Sequence, residues 1–230
     1  MESQVKAVYL CIAMSTKKIP TSVYAEMTPN PTTMKFVADR ELVTGGHQLE
    51  FLNSTEAELC SPLAVELFHF PFVVGVFISG SIVSVKKDDS LGWEMIVTQL
   101  REYIREWLMD NEFAVEEKKV EEAIKLIGER ATSEIKPGSE VDPNFIKEED
   151  IEPTEYDAEI TRLLDEFVRP AVEQDGGAID FVAFKEGVVY VQLRGACSGC
   201  PSSTQTLKGG IEQLLRSKLD VVEDVVAVGV

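Results

Sequence analysis

Residues 178–204 read AIDFVAFKEGVVYVQLRGACSGCPSST. Two β-rich runs, AIDFVAF and GVVYVQLRG, meet at KEG, which is the pattern of a hairpin. The chain then enters ACSGC, with Pro201 directly after the second cysteine. Proline suits the first turn of a helix, where its missing N–H has no partner to lose. Leu207, Ile211, Leu214 and Leu215 recur at helical spacing and predict that helix, and VVAVGV near the end reads as a last strand. Upstream, Ile160, Leu163, Leu164, Phe167 and Val168 share the helical spacing, and Pro170 ends or kinks the helix they form. EQDGG turns the chain, its two glycines permitting backbone angles that other residues avoid. The order helix–strand–strand–loop–helix–strand fills residues 153–230, enough for a small core.

Before this unit lies a region of different composition. Residues 116–130, EEKKVEEAIKLIGER, predict a charged helix with a thin apolar face of Val120, Ile124 and Ile127. The stretch that follows is rich in proline and acid, buries little, and reads as a flexible linker, so 111–152 is a connecting segment. Residues 23–110 form the first globular unit. TMKFV (33–37) reads as a strand, and Asn53 or Ser54 can cap a helix over about 55–68. A hairpin with arms Val74–Ile78 and Ile82–Lys86 follows. A longer helix then places Trp93, Ile96, Val97, Leu100, Ile104, Trp107 and Leu108 on one face. The expected fold class is therefore α+β: two small α+β domains joined by a charged helix and a flexible acidic linker.

The chain of 230 residues carries 40 acidic and 22 basic side chains, a net charge of −18. Acid outnumbers base in every segment, which argues against nucleic acid or an anionic membrane surface as partner. Residues 67–85 contain no charged side chain and are long enough to span a bilayer, but Pro71 and the turn-like SGS at 79–81 favour a buried hairpin. Residues 1–22 read as an extension. They lack arginine and a basic stretch ahead of the apolar run, so neither a secretory signal nor a mitochondrial presequence is expected, and Met14 is an alternative start. The expected location is cytoplasmic.

Four cysteines in this length do not make a disulfide scaffold. Cys11 and Cys60 stand alone and read as inert, whereas Cys197 and Cys200 are paired by spacing. A helix N-terminus beside them favours thiolates, which suits a nucleophile and a metal ligand equally. Zinc sites and iron–sulfur clusters generally take four protein ligands; this unit offers two, and the only histidines, His47 and His69, lie in the first unit. Three readings stay open on spacing alone: a dithiol, half of a four-cysteine site completed by a second chain, or a structural pair. TPNP (28–31) carries no evident chemistry.

The wider pattern resembles a known family. An Arg-Pro before an acidic-Asp-Gly-Gly turn, Gly-x-Cys-x-x-Cys-Pro-Ser-Ser, then Thr-Leu-Lys and Gly-Ile-Glu, is similar to the C-terminal domain of the NifU family, with Gly209 an additional glycine. TPNPTTMKF (28–36), SPLAVELF (61–68), a hairpin and a Trp-Glu helix resemble the N-terminal domain of Nfu-type scaffold proteins. The resemblance implies a non-enzymatic iron–sulfur cluster scaffold or carrier. It implies a homodimer or higher oligomer, formed through the C-terminal domain, that shares a [4Fe–4S] cluster ligated by Cys197 and Cys200 of each chain. Upstream cluster-assembly proteins and apo iron–sulfur acceptors are the implied partners. A dithiol redox protein and a zinc-clipped structural dimer use the same two cysteines and remain the alternatives.

Overall fold

The computed structural model describes residues 18–133, 153–198 and 201–228. They form two α+β units. The first is built on a five-stranded antiparallel sheet of order β1-β2-β5-β4-β3, from β1 (Val23–Met27), β2 (Thr33–Ala38), β3 (Gln48–Phe51), β4 (Val73–Ser79) and β5 (Ile82–Lys87). Alternation along each strand sends Met34, Phe36, Leu49, Phe51, Val76, Ile78, Val83 and Val85 to one face, where they make the core.

Two short helices, α1 (Ser54–Ala57) and α2 (Pro62–Phe68), and the long α3 (Trp93–Asp110) cover that face. The sequence predicts one helix over 55–68; the chain makes two. Asn53 Oδ1 accepts from the Glu56 amide at 3.0 Å to start α1. Ser61 Oγ accepts from the Ala64 amide at 3.2 Å, and Pro62, which has no N–H to continue a helix, begins α2. On α3, Ile96, Leu100, Ile104 and Leu108 are buried, with Trp93, Val97 and Trp107 along the margin of the core, as their spacing predicts. The uncharged stretch 67–85 resolves into the end of α2 and the β4–β5 hairpin, which turns at Gly80. Among the described residues no helix is long and apolar enough to cross a membrane.

The charged helix, α4 (Glu117–Ser133), packs Val120 and Ala123 into the first core, with Ile127 beside them. Ile124, expected on the same face, is 44% exposed, because the buried stripe is a single residue wide at that level. The expected flexible linker lies largely outside the described residues.

The second unit opens with α5 (Asp157–Leu163), a π-helical turn over Leu164–Val168, and α6 (Arg169–Gln174). Pro170 thus does not end the helical run: it stands in the first turn of α6, directly after the π-helical turn, where its missing N–H costs least. Strands β6 (Gly177–Lys185) and β7 (Val188–Gly195) pair antiparallel around Glu186 and Gly187, both at positive φ. Helix α7 (Pro201–Lys218) crosses over to β8 (Asp224–Val228), which lies parallel to β7. Ile160, Leu164, Val172, Ile179, Val191, Ile211, Leu215 and Val225 close the core.

Candidate functional site

The cysteine motif leaves the end of β7 and leads into α7. Gly195 bends the chain at φ +65°, and the Ser198 amide and hydroxyl both donate to its carbonyl, at 3.2 and 3.0 Å. The Thr204 hydroxyl donates to the Cys197 carbonyl at 3.4 Å, tying the turn to the first part of α7. Beneath it lies the Asp175–Gly176 turn. Gly176 sits at φ +81°, and its carbonyl accepts from the Ala196 amide at 3.2 Å.

Gly177 explains why a glycine pair stands there. A Cβ on it would lie 2.7 Å from Cys197 Sγ and 2.8 Å from the Arg194 carbonyl oxygen, so only glycine lets the thiol pack on this turn. The turn-forming role expected of both glycines belongs to Gly176; Gly177 is a contact of the cysteine itself.

Cys197 is bridged to no other described cysteine and is 8% exposed. It lines a cavity of about 370 Å³ with Pro29, Ala171, Val172, Asp175, Ala196, Thr206 and Leu207. Burial pushes its thiol up to about 12, and the Asp175 carboxylate adds to the shift. The thiolate environment expected from the helix N-terminus is not what this conformation provides, since burial and Asp175 both act to raise the thiol. Cys200 lies outside the described residues.

Cys60 is 1% exposed inside the first core, where burial, then Glu116, pushes its thiol up to about 11; it is a packing residue far in chemistry from a nucleophile. His69 pairs with Glu66 at 3.3 Å on the surface. Among the described residues no group of three or more His, Cys, Asp or Glu is placed to hold a metal.

The first unit also reaches this turn, which sequence reasoning missed. The Asn30 Nδ2 donates to the Ser198 carbonyl at 3.1 Å, and Glu50 Oε1 accepts from the Gly195 amide at 2.9 Å. Ser84 Oγ donates to the Gly176 carbonyl at 2.8 Å, and Lys35 Nζ to the Gln174 carbonyl at 2.6 Å. Arg194 Nη1 donates back to the Gln48 carbonyl at 3.0 Å. Asn30 belongs to TPNP, to which the sequence assigned no chemistry. Its side chain is fully buried, and Oδ1 accepts from the Thr32 amide and hydroxyl, so the amide group is fixed in orientation.

Two family models match the chain. Residues 23–111 match "Scaffold protein Nfu/NifU N terminal", and residues 160–226 match "NifU-like domain". The chain belongs to the Nfu family. Among curated relatives, a Drosophila persimilis protein named "NFU1 iron-sulfur cluster scaffold homolog, mitochondrial" is 31% identical over 88% of this chain and 64% of its own length. The protein of the same name from Drosophila grimshawi is 30% identical over 88% of this chain and 60% of its own. The chain thus spans less than two thirds of the length of these relatives. They are named mitochondrial, so the cytoplasmic location expected of this Nfu chain has no support from them. A solution structure of a NifU-like protein from Saccharomyces cerevisiae is 22% identical, covers 44% of this chain and 87% of its own, and superposes with a TM-score of 0.38.

Proposed function

We propose that this Nfu chain is an iron–sulfur cluster scaffold and carrier that holds a [4Fe–4S] cluster between two copies of its second unit. Each copy contributes Cys197 and Cys200, which makes the four thiolates that such a cluster takes. The observation that carries the reading is the packing of Cys197 on Gly177 at the β7–α7 turn, within the segment that matches the NifU-like domain. A soft donor held at a tight turn suits a cluster completed across a two-fold interface by the same pair from a second copy.

Upstream assembly proteins load the cluster, and apo iron–sulfur proteins receive it. Transfer exchanges thiolate ligands: each iron–thiolate bond to this chain is replaced by one to the acceptor, with no net oxidation or reduction. Parting the subunits removes half the ligands, so the cluster leaves more readily than from a site wrapped by one chain. The work is delivery and not turnover, and no general acid or base is required. Free, buried thiols at Cys60 and Cys197 suit a reducing compartment. The cytoplasm is the proposed one, tested by fractionating cells for the endogenous protein.

The deciding experiment is anaerobic reconstitution of the full chain with iron and sulfide, alongside Cys197→Ala. About four iron and four sulfide per dimer, lost in the variant, is the expected result. A monomer without iron overturns the reading in favour of a dithiol, and tight zinc binding in preference to the cluster overturns it in favour of a structural dimer.

A further inference from the structure

The first unit's sheet has one face in its own core. Across the other face runs a row of paired residues, edge to edge: Glu26 opposite Lys35, Lys35 opposite Ser84, Ser84 opposite Phe77, and Phe77 opposite Glu50. In an antiparallel sheet covered on one side only, such a row faces water. Here it does not. Lys35, Ser84 and Phe77 are 7, 2 and 2% exposed, and Phe77 belongs to neither hydrophobic core.

What covers the row is the cysteine site. Lys35 and Ser84 donate to the carbonyls of Gln174 and Gly176, the Phe77 ring lies against Gly195, and Glu50 accepts from the Gly195 amide. Asn30, from the β1–β2 turn, adds its bond to the Ser198 carbonyl, so Cys197 is gripped on both sides of its own peptide. Pro29 helps close the cavity that Cys197 lines.

We propose that the polar face of the N-terminal sheet is a docking surface for the cysteine turn, and that docking in cis latches the chain as a closed monomer that must open before a second copy can pair. The inference rests on the shared-cluster reading above. Two chains must bring their thiolates to one cluster, and the turn that carries Cys197 is held by the first unit at Gly195 and Ser198, where a second chain would have to approach. Cis docking and pairing therefore compete for the same turn. The contacts that form the latch are polar, mostly hydrogen bonds to backbone with side-chain pairs such as Gln48 Nε2 donating to Glu173 Oε1 at 3.0 Å, around one aromatic ring, the make-up of a reversible interface and not of a permanent core.

The test uses the full, metal-free, reduced chain and two openers on the docking row. Ser84→Arg places a long side chain where the Gly176 carbonyl now sits. Lys35→Glu sets a carboxylate against the Gln174 carbonyl. The readout is the rate of Cys197 alkylation by N-ethylmaleimide, resolved from Cys200 by fragment-ion mass spectrometry, with core Cys60 as the fold control. A rise of about tenfold at Cys197 in both variants, with Cys60 unchanged, is expected, together with faster formation of the cluster-bearing dimer from iron and sulfide. Alkylation of Cys197 at the wild-type rate in both openers overturns the latch. Freed thiols with no gain in the rate of dimer loading overturn the competition. If no chain, wild type included, forms a cluster, the shared-cluster reading falls and the competition falls with it, while the alkylation rates still decide whether the sheet docks the turn.

Discussion

At the scale of single residues, the site depends on space that a glycine leaves open. The Cβ of an alanine at position 177 would meet Cys197 Sγ at 2.7 Å, the Arg194 carbonyl at 2.8 Å and the Cys197 amide nitrogen at 3.0 Å. Two of these neighbours are backbone, so the strain cannot be relieved by turning a side chain. Gly177→Ala is expected to destabilise the metal-free chain by about 1–3 kcal/mol and to displace the thiol. A fall in the urea midpoint at unchanged slope checks the first effect, and loss of iron on reconstitution checks the second. The doublet was legible in the sequence as a turn. That one member is a contact of the cysteine was not, because its partner lies across the hairpin.

At the scale of elements, α7 carries Gly209 and Gly210 in mid-helix, where each gives up about 1 kcal/mol against alanine. A close approach by another segment would explain them, but a Cβ on either meets nothing within 4 Å. Gly209→Ala and Gly210→Ala are therefore expected to raise the stability of the metal-free chain by roughly 0.5–1 kcal/mol each, read as a higher urea midpoint. Helices and inner strands follow their sequence periods closely: α3 buries Ile96, Leu100, Ile104 and Leu108, and the β4–β5 hairpin falls where the two apolar runs predict. The strands that the periodicity does not announce, β1 and β3, are the two edges of the sheet. They are short and half-covered, and VYAEM shows little alternation because only Val23 is buried.

At the scale of the whole molecule, closure buries a carboxyl. Burial raises Glu50 above its ordinary 4.5, against the lowering effects of the Gly195 amide, Arg194, Lys86 and Ser198. Below the ordinary value the carboxyl is protonated in open and closed forms alike and adds no difference between them. As pH rises past it the open form ionises first, so the closed form loses relative stability until Glu50 ionises there too. As pH is raised from below 4.5 towards neutrality, the radius of gyration of the metal-free chain, from small-angle X-ray scattering, is expected to grow. Glu50→Gln, which keeps an acceptor for the Gly195 amide without the charge, should stay compact over the same range. The general repulsion of a chain carrying −18 acts on both proteins, so the contrast between them isolates the carboxyl; equal expansion in the two would refute its part in closure.

What the sequence determined by itself is local. Alternation and helical spacing produced the hairpins and helices, and the order of elements in residues 153–230 placed Cys197 at the end of a strand ahead of a helix, because each of these depends on neighbours a few positions away. Even the departures were local in cause, as where Ser61 and Pro62 start a second helix. Only the tertiary structure decided what surrounds the thiol. Glu50 meets Gly195 across 145 positions, and Asn30 meets Ser198 across 168. Both belong to surfaces whose polar patterning reads as facing water, and patterning records which face avoids the core but not which distant turn will come to cover it. The same holds for the protonation of Cys197. A motif beside a helix N-terminus favours a thiolate, and burial of Cys197 in the core of the second unit works against it, since desolvation depends on everything packed around the sulfur and not on the residues that flank it.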